Sequence, residues 1–244
     1  MPATPTRIGP AERFPYAADR SYTPPDAPLK SYLAMLDTLG FARGVLVQGS
    51  AHGSDNSAML DALARQPDRL RGVAVADEQV PAAELRHWHT LGVRGLRFNH
   101  FFRDGQLHYR GGVPLRAAHA LAPLMRELGW HLQLWIDVKD LPDTIAELKS
   151  LALPVVIDHM GRSDASAGTT TAGFQSLLRL VGAGDCWVNC QGRIASAAGR
   201  RTIRMRACSM RRWSPKTPTG WCGEGISRIR AWTVTCRMWV TCSI

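Results

Sequence analysis

Apolar positions recur at two different spacings along the middle of the chain. Short continuous apolar runs, typical of strands buried on both faces, alternate with amphipathic stretches of helical period. The predicted strands cover Gly44 to Gln48, Leu70 to Ala76, Val93 to Asn99, His131 to Ile136, Pro154 to His159 and Cys186 to Cys190. The predicted helices cover Lys30 to Leu39, Asn56 to Arg65, Ala82 to Leu91, Pro114 to Leu128, Leu141 to Leu151 and Phe174 to Val181. Strands and helices that alternate in this way form βαβ units, so we predict a parallel sheet.

The strand count and the length of the chain favour a barrel over a doubly wound sheet. The chain has 244 residues, close to the usual size of a (β/α)8 barrel. No Gly-rich dinucleotide fingerprint follows an early strand. We therefore predict an α/β fold, a (β/α)8 TIM barrel that is incomplete because its first and last strands are disrupted.

The charge and composition change abruptly near Gly199. The net charge is +10, but residues 200–244 hold ten Lys or Arg and one acid, Glu224, whereas residues 1–199 hold twenty bases and nineteen acids. The tail also carries four of the six Cys and four of the eight Trp, with no His and no Asp. We predict one barrel domain over residues 1–199 and an aberrant basic tail over residues 200–244.

Other features bound the class of protein. The sequence has no apolar run long enough to span a membrane and no signal-peptide core, which favours a cytoplasmic protein without a membrane partner. Cys186 and Cys190 lack a second pair, so their spacing is weak for zinc. His87 and His89 cannot share one helix face, and we interpret them as surface residues. His119 and His131 lie away from strand C-termini, and we interpret them as structural.

In a parallel barrel the C-terminal ends of the strands meet at one mouth. The residues that this places there are Gln48, Ser50, Arg97, Asn99, Trp135, His159, Arg162 and Asn189, with Arg103 in reach. Several arginines and a histidine around one cavity indicate a small anionic substrate, because a guanidinium matches a carboxylate. Arg94 is better explained by a structural ion pair with a nearby acid. For Arg97 spacing leaves both interpretations open, and His159 could equally be a buried core histidine.

Four collinear motifs resemble a known family. The segments FPYAADRSYTPPDAP, VLVQGSAHGSDNSAML, GVRGLRFN and VVIDHMGR are similar to those of the amidohydrolase-related (amidohydrolase family 2) TIM-barrel hydrolases, and within them to the 2-pyrone-4,6-dicarboxylate lactonase group. The resemblance covers about Gly9 to Gly199. It implies a hydrolase of a small lactone or ester that bears carboxylates. Some members of the wider superfamily use a divalent metal such as Zn or Mn, whereas the resemblance to the pyrone lactonases implies none.

The resemblance also implies roles for particular residues. Tyr22, Ser50, Arg97, Arg103 and Arg162 would hold carboxylates or lactone oxygens, and His159 would be the catalytic residue that polarises the scissile carbonyl. Trp135 stands where the resemblance implies a tyrosine, so the hydrogen bond of a phenol is missing there.

Two family features are absent at the ends of the chain. The opening HxH motif is replaced by Thr4 to Ile8, and the closing WGxDxPH motif, whose Asp would activate water, is absent after Gly199. A shifted reading frame would permit both motifs. Some residues of the shifted frame are fixed by the genetic code: the last base of the Trp213 codon joined to the first two bases of a TCN codon for Ser214 encodes Val. We therefore predict a chain that is impaired or inactive as a hydrolase. The alternatives are a nucleic-acid-binding protein with a basic tail, which the irregular placement of the bases does not favour, and an inert barrel fragment.

Overall fold

The structure is a computed structural model, and it describes residues 13–24, 27–109, 111–189 and the backbone of 241–243. Nine strands are described: β1 Gly44–Val47, β2 Leu70–Ala74, β3 Val93–His100, β4 Phe102–Arg103, β5 Gln106–Leu107, β6 His131–Ile136, β7 Val155–Ile157, β8 Cys186–Val188 and β9 Thr241–Ser243. Six α-helices accompany them: α1 Leu29–Thr38, α2 Ser57–Arg65, α3 Ala82–Leu91, α4 Ala118–Glu127, α5 Leu141–Leu151 and α6 Ala172–Ala183.

Seven of the strands form one parallel sheet in the order β8-β7-β6-β3-β2-β1-β9. The two outermost strands in that order are not paired with each other in the described part of the chain, so the sheet is a curved, open part of a barrel. This confirms the predicted α/β class and the incomplete (β/α)8 architecture. The six strands predicted between Gly44 and Cys190 are all present.

The sheet has two unlike faces. Leu96, Phe98 and Leu134 point to the helices, where they join the main apolar core together with Trp130. On the opposite face Val45 and Val47 of β1 and Val73 of β2 form a small apolar cluster. Because side chains alternate along a strand, the residues between the core positions of β3 and β6 must face the inside of the curve.

The differences from the predicted boundaries lie at strand ends and helix ends. β7 stops at Ile157 instead of His159, because Asp158–Arg162 forms a tight turn in which His159, Met160, Gly161 and Arg162 have φ between 49° and 59°. The predicted helix from Pro114 begins as a 3₁₀ turn, Leu115–Ala117, and becomes α-helical at Ala118.

Two further features bear on the predictions for the tail and for the membrane. Within the tail, Thr241–Ser243 pairs in parallel with Val45–Val47 of β1. In the predicted incomplete barrel β1 is an open edge of the sheet. The remaining residues of the predicted 200–244 segment lie outside the described part of the chain, so this domain division stays a prediction. None of the described helices has the length and apolar character needed to cross a membrane.

Candidate functional site

Register and alternation bring four polar side chains to the inner face of the sheet. Arg97 of β3 is paired with Gln133 of β6, and Asn99 is paired with Trp135 two positions further along. All four lie between residues whose side chains face the helices, so they point to the inside near the C-terminal ends of their strands. This is the mouth that the strand ends predict.

Arg97 is held from two sides. Its Nε donates to Asp158 Oδ2 at 2.8 Å, and its Nη1 donates to the carbonyl of Gln48 at 3.2 Å. Gln133 Nε2 donates to the other oxygen of Asp158 at 2.6 Å. Arg97 is 7% exposed and Asp158 is 2% exposed, so this is a buried ion pair with a fixed geometry.

Two donors at this mouth remain without a partner in the described part of the chain. They are the Nη2 of Arg97 and the Nε1 of Trp135, and both are buried. Arg97 and Trp135 line the same cleft, together with Ser50, Asn99 and Tyr109, and the cleft is shallow and partly open to solvent. A buried donor without a partner costs stability, so such donors at a cleft indicate a place for an acceptor.

A row of rings lines the mouth. The ring centroids of Tyr22 and Tyr109 are 6.2 Å apart, those of Tyr109 and Trp135 4.7 Å, and those of Trp135 and His159 4.6 Å. The guanidinium carbon of Arg97 lies 4.9 Å from the centroid of the Trp135 ring. Trp135 is therefore the centre of the site, in contact with a cation, a phenol and an imidazole.

The hairpin of β4 and β5 brings further positive charge to the mouth. Burial raises the pKa of Tyr109, while the guanidinium groups of Arg162, Arg97 and Arg103 act in the opposite direction. Burial and the charges of Arg103 and Arg162 lower the pKa of His108. Three guanidinium groups therefore act on one point beside the cleft, as expected for a site that binds an anion.

His159 and Arg162 are presented by the left-handed turn that follows β7. His159 and Met160 have φ of 49° and 57°, values that are costly for residues other than glycine. The turn is fixed by the Met160 amide, which donates to the Asn189 carbonyl at 3.0 Å. It sends Arg162 over the ring of Phe101, with Cζ 4.4 Å from the centroid. The strained turn thus aims the histidine and the arginine at the mouth.

The six residues singled out from the sequence all lie around this mouth. Ser50 and Arg97 line the cleft, Tyr22 contacts Tyr109, and His159 contacts Trp135, while Arg103 and Arg162 act electrostatically on Tyr109. Their roles remain predictions.

Sequence reasoning missed three residues of the site. Tyr109 carried no strand-end signal because it lies in a loop. Asp158 and Gln133 carried a signal that was overlooked, because both are polar residues inside predicted buried strands.

Some secondary interpretations need correction. Arg94 makes no ion pair with an acid in the described residues; its Nη1 donates to the carbonyls of His89 and Val93 at 2.8 and 2.7 Å. His89 is not a surface residue, since it is half-buried and accepts a hydrogen bond of 2.9 Å from Trp130 Nε1. For Arg97 both interpretations hold, because it pairs with Asp158 and also lines the cleft.

His131 lies at the start of β6, at the far end from the mouth, as interpreted from the sequence. Burial lowers its pKa to about 4, against the opposing effects of Gln133 and Asp158. The described residues contain no cluster of three or more His, Cys, Asp or Glu side chains that could hold a metal ion. The described groups therefore do not fit the divalent metal of the wider superfamily.

The chain is similar to lactone hydrolases of known name. It is 38% identical over 174 residues to a 2-pyrone-4,6-dicarboxylate hydrolase of Comamonas testosteroni, covering 71% of this chain and 55% of the relative. It is 35% identical over 185 residues to a 4-sulfomuconolactone hydrolase of Rhizobium radiobacter, covering 76% and 60%. The chain thus spans little more than half the length of these relatives.

A solved structure of a protein in the same group of hydrolases also resembles the chain in fold. The crystal structure of a protein assigned as a 2-pyrone-4,6-dicarboxylic acid hydrolase from Acinetobacter baumannii, with citric acid bound, matches with a TM-score of 0.63 and 28% identity. The match covers 77% of this chain and 68% of that one. The sequence profile of the amidohydrolase family matches residues 2–217. This chain belongs to the amidohydrolase family.

Proposed function

We propose that this chain binds a small lactone bearing carboxylates at the mouth of the sheet, and that the bound lactone is the substrate of a hydrolase. The observation that carries the proposal is that Arg97 lines the cleft, while the guanidinium groups of Arg103 and Arg162 act on Tyr109, which lines the same cleft. Relatives named as hydrolases of a pyrone dicarboxylate and of a sulfonated muconolactone support the same class of ligand, a ring ester with anionic substituents.

The arginines have different tasks in this proposal. Arg97 is buried and fixed by Asp158, so it binds an anionic group deep in the cleft. Arg103 and Arg162 are exposed at the rim and attract and orient the second anionic group. A charge-assisted hydrogen bond to a carboxylate is stronger where water is excluded, so the buried arginine contributes most to affinity. Tyr22 and Ser50 complete the wall with hydroxyl groups.

His159 acts on the ester. In the proposed reaction the oxygen of water forms a bond to the lactone carbonyl carbon, the ring C–O bond breaks, and the leaving oxygen takes up a proton. An imidazole N–H of His159 that donates to the carbonyl oxygen stabilises the negative charge that develops there. The strained turn after β7 holds the imidazole in place for this contact.

Water activation is the weak step. Both oxygens of Asp158 already accept hydrogen bonds from Arg97 and Gln133, so Asp158 stabilises Arg97 instead of serving as a base. The Asp that the resemblance implies in a closing strand is absent from the sequence after Gly199. We therefore propose binding with little turnover, reduced by about 10²–10⁴-fold relative to an enzyme with such a base.

The test is to measure binding of 2-pyrone-4,6-dicarboxylate by calorimetry and its ring opening by absorbance, beside the Comamonas testosteroni relative. We expect saturable binding and slow or undetectable ring opening. Arg103→Met and Arg162→Met should each weaken binding about ten-fold or more, because each removes a charged donor. The matched control is Arg65→Met, an exposed arginine of α2 that pairs with Asp61.

Three outcomes would contradict the proposal. If binding does not saturate, or if Arg65→Met weakens it as much as the other two variants, the mouth is not the binding site. If ring opening proceeds at the rate of the relative, the predicted impairment is wrong.

A further inference from the structure

We infer that Trp135 determines ligand specificity by donating its indole N–H, alongside Nη2 of Arg97, to one anionic group of the ligand, a carboxylate or sulfonate. The inference deepens the proposed function and rests on it, since it names the contacts of the buried anionic group. It replaces the expectation from the sequence that this position lacks a hydrogen-bonding group.

The first step concerns the unused donor of Arg97. Asp158 occupies Nε and the carbonyl of Gln48 occupies Nη1, which leaves Nη2 without a partner among the described residues. An arginine that is 7% exposed gains nothing from solvent at this atom. Because the two bonds fix the plane of the guanidinium, the direction of its remaining edge is fixed as well.

The second step concerns the indole. Trp135 Nε1 is the other buried donor of the cleft without a partner in the described ranges. Tryptophan has a donor and no acceptor, so only an acceptor can satisfy it. A buried indole N–H usually finds such a partner, as Trp130 does at 2.9 Å from His89 Nδ1.

The third step joins the two donors. Arg97 Cζ lies 4.9 Å from the Trp135 ring centroid, and both residues line one cleft. Two unpartnered donors in one cleft match an anionic group with more than one oxygen. A neutral acceptor would accept the indole hydrogen bond but would add no negative charge beside the guanidinium of Arg97, which would then be paired with Asp158 alone.

The position of Trp135 makes it a specificity residue. Its ring contacts Tyr109 on one side and His159 on the other, at 4.7 and 4.6 Å between centroids. An anionic group bound at the indole N–H is thereby placed at a set distance from the imidazole. A ligand without an anionic group at that distance leaves two buried donors unsatisfied, which is a strong basis for rejection.

The experiment uses the full chain with citrate as the probe, because citrate carries three carboxylates. The ¹H–¹⁵N signal of the Trp135 indole is assigned by its loss in Trp135→Phe, a change that keeps an aromatic ring at this position and removes the N–H donor with part of the ring system. We expect citrate to shift this signal downfield, and Trp135→Phe to weaken citrate binding about ten-fold. The control is Trp187→Phe, on β8 and 38% exposed, which should leave citrate affinity unchanged.

A stability measurement separates ligand binding from a loss of folding. Trp135→Phe removes part of the ring system as well as the N–H, so some lowering of the urea midpoint is expected from lost packing alone. Citrate affinity is therefore compared well below the lower of the two midpoints, where a ten-fold loss reports the contact with citrate and not unfolding.

The remaining outcomes distinguish this inference from the proposed function. If citrate binds but neither shifts the Trp135 signal nor binds more weakly to Trp135→Phe, the inference is wrong and the anion site stands. If citrate does not bind to the unaltered chain, the anion site fails and the proposed function fails with it. Replacing one carboxylate probe by a sulfonate, malonate by sulfoacetate, shows which anion the pair prefers.

Discussion

The two faces of the sheet are built from the same strands but follow different rules. Toward the helices, Leu96, Phe98 and Leu134 are at most 1% exposed and pack without polar atoms. Toward the inside, Arg97 and Asp158 are nearly as buried but are charged. One face stabilises the protein by excluding water from apolar surface. The other holds charges in fixed positions, which costs stability and is useful only if something binds there.

The largest expected effect comes from breaking the ion pair on the inner face. Asp158→Ala should lower the free energy of unfolding by about 3–5 kcal/mol, because it leaves the buried charge of Arg97 uncompensated. Urea unfolding measures the change. Asp37→Ala is the control, since its ion pair with Arg69 is largely exposed and should contribute less than about 1 kcal/mol. Equal losses in the two variants would contradict the contrast.

The next effect comes from the outer face. Leu134→Ala should cost about 2–5 kcal/mol, because it leaves a cavity beneath the helices. Citrate affinity of the protein that remains folded should not change, since Leu134 points away from the cleft. Leu39→Ala, which is 57% exposed, should be nearly neutral. A loss of citrate affinity in Leu134→Ala, measured well below its unfolding midpoint, would show that the two faces are not independent.

The pH dependence of stability sharpens the comparison further. His131 has a pKa of about 4 in the folded protein, below the ordinary 6.5. Between these values the unfolded chain binds a proton that the folded chain does not. The contribution of neutral His131 to the free energy of unfolding is therefore fully present above pH 6.5. It is lost as pH falls toward 4, and the free energy of unfolding then changes by up to about 1.4 kcal/mol per pH unit.

Replacing His131 by Gln should flatten that slope between pH 6.5 and 4.5. Unfolding curves at several pH values measure it, with His119→Gln, an exposed residue of α4, as the control. If both variants keep the slope of the unaltered chain, the assignment to His131 is wrong.

The smallest expected effect lies at the start of α6. The Thr171 hydroxyl accepts a hydrogen bond from the Phe174 amide at 3.4 Å and caps the helix. Thr171→Ala should cost about 1 kcal/mol, the usual contribution of such a cap. Thr171→Ser keeps the hydroxyl and should retain most of the stability. If Ser and Ala cost the same, the hydroxyl does not contribute.

Much of the architecture could be predicted because it depends on local pattern. The helices Ala82–Leu91 and Leu141–Leu151 and the strand His131–Ile136 have the bounds that apolar spacing predicts. Strand ends were less accurate, because the left-handed turn after Ile157 depends on a contact with Asn189. The pairing of Thr241–Ser243 with β1 could not be predicted, since that segment has no strand pattern of its own.

The candidate site divides in the same way. Strand ends and a family resemblance singled out six residues that the fold brings to one mouth; chain order gave five of them, and Tyr22 came from the resemblance alone. Spacing could not decide between the two interpretations of Arg97, because its partner Asp158 is 61 residues away. Nor could it show that Trp135 carries an unused donor, because that depends on every acceptor that the folded chain brings near the indole.

The sequence by itself determined the alternation of helices and strands, the parallel sheet and the end of the sheet at which polar residues gather. These follow from periodicity and chain direction, which are properties of neighbouring residues. Only the tertiary structure decided which donors are used and which are left over. Asp158 and the Gln48 carbonyl reach Arg97 from two other strands or strand ends, Gln133 occupies the second oxygen of Asp158, and burial then makes the remaining N–H groups matter. Hydrogen bonding and desolvation act through space, so the chemistry of the mouth exists only once the strands are assembled.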